Sequence, residues 1–191
     1  MAGARVGLLG GSFNPAHAGH LHLSRQALAA LRLDRVIWLV APQNPLKPVA
    51  GMAPLKERLA RARAIARDPR IEVSDLEERL GTHYTVDTLR RLRRRCGATR
   101  FVWLMGADLL LQLPEWHRWQ RIFETVPVAI FDRRSYAYRA LAGLAARRYR
   151  RHRVHCPAAL PTREPPAWCF VRGPTHPASA TEIRRRGAGL S

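Results

Sequence analysis

A glycine-rich turn between an apolar segment and an amphipathic segment constrains the fold of this chain more than any other feature. Residues 10–20 read Gly-Gly-Ser-Phe-Asn-Pro-Ala-His-Ala-Gly-His; they follow the apolar residues 6–9 and precede the amphipathic residues 21–28. This order predicts a strand, a tight turn and a helix. A helix start offers unpaired N–H groups and the positive end of its dipole, and His17 and His20 would add hydrogen-bond donors on the same face. We therefore predict a site for nucleotide phosphates at this turn.

The rest of the chain alternates apolar segments with helical patterns. Strands are predicted at Arg5–Gly10, Val36–Val40, Ile71–Val73, Phe101–Met105, Val126–Phe131 and Trp168–Arg172. Helices are predicted at Gly19–Leu31, Leu55–Ala66, Thr85–Arg95, Trp116–Phe123, Arg139–Arg148 and Thr181–Arg186. This alternation indicates an α/β fold, in which helices cover both faces of a parallel sheet and a small helical part lies at the C-terminus. Ligands of such sheets bind where the strand order reverses, so we expect the glycine-rich turn to lie there.

The length and the apolar pattern limit the protein class. A chain of 191 residues suffices for one α/β domain and is short for two, so we predict one domain over residues 1–191, with a surface loop at the proline-rich residues 157–166. No apolar run approaches the roughly 20 residues of a membrane span. The N-terminus lacks the pattern of a secretory signal. We therefore expect a cytoplasmic protein with no membrane partner; the sequence leaves open whether it is a monomer or a homo-oligomer.

Cysteine and histidine spacing gives little support for a disulfide framework or a metal site. The three cysteines, Cys96, Cys156 and Cys169, are far apart, which is typical of a reducing compartment. His152 and His155 precede Cys156 and could supply nitrogen ligands to zinc. Their spacing is not that of a paired-cysteine zinc module, so we predict no metal bound by protein side chains alone.

The chain is strongly basic, with a net charge of +19 from 33 basic and 14 acidic residues. Such an excess favours polyanions as partners. All basic residues other than Lys47 and Lys56 are arginines, and they are spread over several segments, which indicates a compositional bias. We therefore expect no specific nucleic-acid partner, although salt-sensitive contact with RNA would follow from the charge alone.

The residues of the glycine-rich turn resemble a family signature. The pattern G-G-S-F-N-P-x-H-x-G-H is similar to that of the H-x-G-H nucleotidyltransferases, and within them to the bacterial nicotinate mononucleotide adenylyltransferases. Asn14 favours this branch, because pantetheine-phosphate adenylyltransferases and cytidylyltransferases usually carry Asp there. The resemblance implies a Rossmann-like nucleotidyltransferase domain. It also implies adenylyl transfer from ATP to nicotinate mononucleotide without a covalent intermediate, with Mg²⁺ bridging the ATP phosphates.

The resemblance extends to an ATP site. Gly-Ala-Asp at residues 106–108 resembles a family motif that contacts the ribose or adenine, and residues 178–184 resemble I-S-S-T-x-I-R, with alanines at 178 and 180 as departures. His17, His20 and Arg184 would be the catalytic residues. The implied ATP contacts are Gly10, Gly11, Ser12, Phe13, His17, Gly19, His20, Gly106, Asp108, Ser179, Thr181 and Arg184.

A second set of motifs implies the nicotinate mononucleotide site. Residues 84–89 resemble the family segment Y-T-[IV]-D-T-L, and residues 116–119 resemble W-H-R-W, in which the first tryptophan stacks on the pyridine and Trp119 would belong to the core. In the proline-rich loop after the second strand, Leu46 replaces the usual histidine. The implied contacts are Asn14, Lys47, Tyr84, Thr85, Trp116 and Arg133. We expect Asp87 to serve only as a first-turn acid that complements the helix dipole.

Several alternatives stay open at this point. The acceptor could be nicotinamide mononucleotide or pantetheine phosphate, since acid-versus-amide discrimination depends on one or two hydrogen bonds. Leu46, Ala180 and the end of the chain at Ser191 also allow a catalytically weakened relative that binds nucleotide. An RNA-binding protein on a nucleotide-binding fold is the alternative from another class.

Overall fold

The computed structural model describes residues 3–42, 51–133, 136–176 and 178. Their six strands form one parallel sheet in the order β3-β2-β1-β4-β5-β6. The strands are β1 (Arg5–Gly11), β2 (Arg35–Val40), β3 (Ile71–Ser74), β4 (Arg100–Gly106), β5 (Val128–Phe131) and β6 (Trp168–Val171). The helices are α1 (Ala18–Ala30), α2 (Leu55–Ile65), α3 (Leu76–Leu80), α4 (Thr85–Arg95), α5 (Ala107–Gln112), α6 (Gln120–Thr125), α7 (Ala137–Ala142) and α8 (Leu144–Arg148). None of these helices is long and apolar enough to cross a membrane.

Two hydrophobic cores lie on the two faces of the sheet. Successive strand residues point to opposite faces, so β4 sends Trp103 and Met105 into one core and Val102 and Leu104 into the other. The first core includes buried residues of α4 to α8, and the second includes those of α1 and α2. Burial on both faces explains why the strands read as continuous apolar runs. The predicted α/β architecture is therefore confirmed.

The strand order reverses between β1 and β4. Both strands pair with each other, and the chain continues outward to β2 and β3 on one side and to β5 and β6 on the other. Their carboxyl ends, at Gly11 and Gly106, therefore lie side by side at the position where nucleotides bind in sheets of this topology. The predicted placement of the glycine-rich turn is confirmed.

The predicted helix at Trp116–Phe123 is wrong in its first turn. The chain forms a turn there, because Arg118 has φ 48°, in the left-handed region that interrupts a right-handed helix. Helix α6 begins only at Gln120. The predicted helix at Arg139–Arg148 is two helices, α7 and α8, because Gly143 between them is extended, with φ −70° and ψ 165°.

Other differences concern short elements. The sequence analysis missed α3 and α5, which have only 5 and 6 residues and too few turns for a periodic pattern. The surface loop predicted at residues 157–166 contains a 3₁₀ helix at Pro157–Thr162, and Leu160 and Pro161 in it are buried. The predicted helix at Thr181–Arg186 lies outside the described residues.

Candidate functional site

Two histidines close the first turn of α1 by reciprocal hydrogen bonds. His17 is the N-cap residue, and its Nδ1 accepts a hydrogen bond of 3.1 Å from the Gly19 N–H. The Nδ1 of His20 accepts a hydrogen bond of 3.2 Å from the His17 N–H. This is a capping box in which imidazoles replace the usual hydroxyl and carboxylate side chains. The helix start that should bind phosphate is thereby built from the two candidate catalytic residues.

The same hydrogen bonds decide which nitrogen carries the proton. A ring nitrogen that accepts from a backbone N–H is unprotonated, so each neutral ring carries its proton on Nε2. Burial, together with the positive charge of Arg133 and with His176, lowers the pKa of His17 from 6.5 to about 4. At neutral pH His17 is therefore an uncharged ring that holds an N–H donor on Nε2.

Buried aromatic rings hold His20 in place. The His17 and His20 ring centroids are 3.9 Å apart. The rings of Phe13, His20 and Trp38 all contact one another, with centroids 4.6 Å apart for Phe13 and His20, 5.1 Å for Phe13 and Trp38 and 5.8 Å for His20 and Trp38. The Trp38 Nε1–H donates to the Ser24 hydroxyl at 2.8 Å, which anchors this stack to α1. Phe13 is only 2% exposed, so its side chain supports His20 and only its backbone could meet a ligand.

Gly19 is required between the two histidines by close approach. A Cβ at this position would lie 2.9 Å from His17 Nδ1 and 3.0 Å from the Ala178 carbonyl oxygen. Any side chain would therefore displace either the cap or the chain that leads into the predicted phosphate motif. That chain is also tied to α1, since His22 Nε2 and Gln26 Nε2 both donate to the Pro174 carbonyl oxygen, at 2.7 and 2.8 Å.

The ends of β4 and β5 bring together Asp108 and Arg133. Arg133 Nε lies 3.6 Å from Asp108 Oδ1, and this oxygen is buried without a hydrogen-bond partner in the described part of the chain. Asp108 lies in the first turn of α5, whose N-cap residue is Gly106, so the carboxylate does not cap the helix. A Cβ on Gly106 would collide with Asp108 Oδ1 and crowd Arg133 Cγ at 3.3 Å. Glycine therefore permits this carboxylate–guanidinium pair.

The aromatic residues of the second motif set occupy different environments. Tyr84 is the N-cap residue of α4, and its ring stacks on His117 with centroids 4.3 Å apart. Trp116 is half-buried and packs against the first core. Trp119 is buried edge-on against Phe123, so its predicted core position is confirmed. The sequence analysis gave no role to His117.

Thr85 and Asp87 both lie in the first turn of α4. Thr85 is the first residue of this helix, and Asp87 is the acidic residue of that turn. The predicted position of Asp87 beside the positive end of the helix dipole is confirmed.

Asn14 connects the glycine-rich turn to a second segment. Its Nδ2 donates to the Gly51 carbonyl oxygen at 2.9 Å, and its Oδ1 accepts from the Ala53 N–H at 3.3 Å. Four other predicted site residues, Lys47, Ser179, Thr181 and Arg184, lie outside the described residues, as do the departures Leu46 and Ala180.

The sequence analysis missed Arg58, which contacts the same turn. Arg58 is 1% exposed, and its guanidinium donates to the carbonyl oxygens of Ser12, Ala41, Pro42 and Ala53 at 2.7 to 2.8 Å. The charged composition of α2 suggests a solvated helix. A helical projection contains the missing signal, because Arg58 falls on the same stripe as the apolar residues 55, 59 and 62.

The described residues contain no group of three or more His, Cys, Asp or Glu side chains that could hold a metal ion. An arginine-rich groove of about 320 Å³ lies elsewhere, lined by Arg90, Arg93 and Arg94 together with Glu124 and Glu164. None of the predicted site residues lines this groove.

Comparisons with known proteins identify relatives of this chain. A family model of cytidylyltransferase-like proteins matches residues 8–186. A probable nicotinate-nucleotide adenylyltransferase of Parvibaculum lavamentivorans is 56% identical over 187 residues, which cover 97% of this chain and 93% of the relative. One of Cereibacter sphaeroides is 54% identical over 182 residues, with coverage of 95% and 97%.

A solved structure shares the fold. The nicotinic acid mononucleotide adenylyltransferase of Plasmodium falciparum complexed with NaAD has a TM-score of 0.71 and 15% identity, and the match covers 95% of this chain and 83% of that chain. The same enzyme complexed with APC has a TM-score of 0.70 and 14% identity. At this level of identity the likeness bears on the fold alone.

The low pKa of His17 predicts a pH dependence of stability. Between the folded pKa of about 4 and the unfolded value of 6.5, only the unfolded chain binds a proton at this position, so stability rises with pH through this window. His17→Asn keeps an N-cap side chain but removes the titrating ring. From pH 7 to pH 5 we expect the unfolding free energy of the wild type to fall by about 1–2 kcal/mol more than that of the variant. Urea unfolding at both pH values measures this difference, and equal losses would contradict the assignment.

Proposed function

This chain belongs to the nicotinate-nucleotide adenylyltransferase family, and from that premise we propose that it transfers the adenylyl group of ATP to nicotinate mononucleotide. The products are nicotinate adenine dinucleotide and pyrophosphate, in a step of NAD biosynthesis. The observation that carries the proposal is the capping box of His17 and His20 at the point where the strand order reverses. We propose that residues 1–191 form one nucleotidyltransferase domain.

The triphosphate of ATP would lie against the start of α1. Gly10 and Gly11 end β1 beside this helix start, so their backbone would border the phosphates. A Cβ on Gly10 would collide with the Trp103 ring, so the glycine at this position is required by packing of the core. The Nε2–H groups of His17 and His20 would donate to the phosphoryl oxygens, and backbone N–H groups at Ser12 and Phe13 would add to the same field. In this proposal Ser179, Thr181 and Arg184 bind the β and γ phosphates.

The ribose of ATP would lie at the end of β4. Asp108 Oδ1 is a buried acceptor without a hydrogen bond in the described chain, and a ribose hydroxyl would supply one. The guanidinium of the neighbouring Arg133 is a cation and would bind the phosphate of nicotinate mononucleotide. The ion pair of these two side chains would thus set the separation of the two substrates.

The pyridine of nicotinate mononucleotide would lie against Trp116, with its carboxylate held by the backbone and hydroxyl groups of Tyr84 and Thr85 at the start of α4. Asn14 and Lys47 would complete this site. The stacked rings of Tyr84 and His117 form the exposed wall beside it.

The reaction needs no nucleophile from the protein. The phosphate of nicotinate mononucleotide, with a second pKa of about 6, is largely ionised at neutral pH. One of its oxygens attacks the α-phosphorus of ATP in line, the bond to the β-phosphate oxygen breaks, and pyrophosphate leaves with that electron pair. Catalysis then consists of aligning the two phosphates and stabilising the charge on the phosphoryl oxygens.

Members of this family generally use a divalent metal ion. We propose Mg²⁺, which would neutralise charge on the triphosphate when bound. Mg²⁺ is commonly held by substrate phosphates and water with few protein ligands. The proposed donors at the phosphate turn are imidazole and backbone N–H groups, which would bind phosphate oxygens and leave the ion to the substrate phosphates and water.

We place the reaction in the cytoplasm. Cys96 and Cys156 are exposed thiols and Cys169 is a buried one, and none of the three forms a disulfide. Free exposed thiols are typical of reducing compartments. ATP and nicotinate mononucleotide are the proposed partners, with no specific nucleic acid.

The first test is substrate preference. Purified protein with ATP and Mg²⁺ should release pyrophosphate much faster with nicotinate mononucleotide than with nicotinamide mononucleotide or pantetheine phosphate. The carboxylate provides the reason, since a site built to bind it leaves donors unpaired against the amide. A preference for either competitor would replace the proposed acceptor. ATP binding without any release would favour a weakened relative.

The second test removes the donor of His20. We expect His20→Ala to lower kcat at least about 100-fold, as the loss of one preorganised donor to a charged transition state does. His155→Ala, which changes an exposed histidine outside the proposed site, is the matched control and should keep wild-type turnover. A folded His20→Ala protein with near-wild-type kcat would refute the role of this ring.

A further inference from the structure

A buried arginine joins the segments that border the two proposed substrate sites. Arg58 lies in the first turn of α2, and its guanidinium makes four hydrogen bonds, all to backbone carbonyl oxygens. Nη1 donates to Ser12 and to Ala41, both at 2.7 Å. Nη2 donates to Pro42 and Nε to Ala53, both at 2.8 Å. The bonds are short and use each nitrogen of the fork.

The four acceptors come from three separate parts of the chain. Ser12 belongs to the glycine-rich turn that would bind the triphosphate. Ala41 and Pro42 follow the end of β2, and Ala53 directly precedes α2. Residues 43–52, with Lys47 of the proposed nicotinate mononucleotide site, connect these last two parts in sequence. Arg58 therefore holds the residues before and after this segment, Pro42 and Ala53, together with the phosphate turn.

A second side chain connects the same parts. Asn14 bonds to the Gly51 carbonyl oxygen and to the Ala53 N–H, and the Ala41 N–H donates to the Gly11 carbonyl oxygen at 2.9 Å. The carbonyl of Ala53 binds Arg58 while its N–H binds Asn14. Both backbone polar groups of Ala53 are therefore bonded, and both contacts hold this residue near the glycine-rich turn.

The positive charge of Arg58 is energetically unfavourable at a position that serves only for packing. No carboxylate within residues 3–42, 51–133, 136–176 or 178 forms an ion pair with it, and burial lowers the pKa of its guanidinium. Arginine nevertheless stays charged at neutral pH. A buried charge without a counter-ion carries a desolvation cost that an apolar side chain on the same helical stripe would avoid. The cost is consistent with a role in placing backbone groups.

From these contacts we infer that Arg58 is a positioning residue for the adenylyl transfer, which holds Ala41, Pro42 and Ala53 in place relative to Ser12 of the phosphate turn. The inference rests on the proposed function. The planar fork is essential to it, because a lysine ammonium cannot satisfy carbonyls that diverge in this way. Loss of the fork should misalign the two reacting phosphates while each substrate keeps most of its own contacts. A displacement near 1 Å in such alignment costs on the order of 100-fold in rate.

The test compares Arg58→Lys and Arg58→Met with Arg63→Lys, an exposed arginine on the same helix, as the control. We expect both Arg58 variants to lower kcat at least about tenfold, while the Kd for ATP alone changes less than about threefold. Wild-type and control turnover report on the proposed function independently, so its failure would show in those two proteins first. Circular dichroism and thermal unfolding establish that each variant is folded.

Two results would overturn the inference. One is wild-type kcat and KM in a folded Arg58→Met protein. The other is a parallel loss of ATP affinity and turnover, with no kcat-specific effect, which indicates a structural role only. Arg58→Met is shorter and uncharged but unbranched and apolar, which suits the apolar stripe, so it provides the folded variant if Arg58→Lys is unstable. A double variant with His20→Ala adds a further criterion, since a residue that acts through the turn should show a non-additive effect on kcat.

Discussion

The reciprocal hydrogen bonds between two imidazoles and the backbone at the start of α1 are the interaction on which the site depends. They satisfy N–H groups of the first helical turn, and they also leave each ring with its proton on Nε2. Formation of the first helical turn therefore also fixes the tautomer of the two imidazole rings. The low pKa of His17 follows from the same arrangement, because a ring that caps a buried turn is shielded from water.

The strand order places the other proposed contacts around this turn. Parallel strands end at the same edge, so the ends of β1, β4 and β5 bring the phosphate turn, Asp108 and Arg133 to one side of the sheet. The contributing residues stand at the ends of rigid elements with cores on both faces. This placement suits a reaction whose catalysis consists of alignment, because the proposed contacts are attached to elements that are packed into the two cores. Arg58 adds a connection between the helices and loops that the sheet itself does not provide.

The sequence predicted the parts of the fold that follow from local chemistry. Long apolar runs bounded by glycine indicate buried parallel strands, and the H-x-G-H spacing indicates a helix start; both are properties of a few adjacent residues. The predicted helix boundary was wrong at Arg118, where it depends on a single backbone angle. Helices α3 and α5 were not predicted because they are too short to show periodicity. The family resemblance indicated candidate ligand contacts, but it did not indicate which other residues hold those side chains in place.

Arg58 shows a second limit. Its partners are backbone carbonyls from three segments, and a carbonyl has no sequence signature. An arginine that binds side chains of opposite charge leaves a trace in charge patterning, whereas the signal of Arg58 is its place on the apolar stripe of α2, which indicates burial but not its partners. The contact between Asp108 and Arg133 was likewise not predicted. The strand order places the two residues near each other, but it does not indicate that their side chains pair.

The central claim is that one direct displacement joins the two substrates without a covalent intermediate on the protein. The stereochemistry at the α-phosphorus tests it most directly. ATP with a sulfur of defined configuration at that phosphorus would be converted with nicotinate mononucleotide, and the configuration of the dinucleotide product determined. We expect inversion, the outcome of a single in-line attack. Retention would require two successive displacements through an adenylylated side chain, and would contradict it.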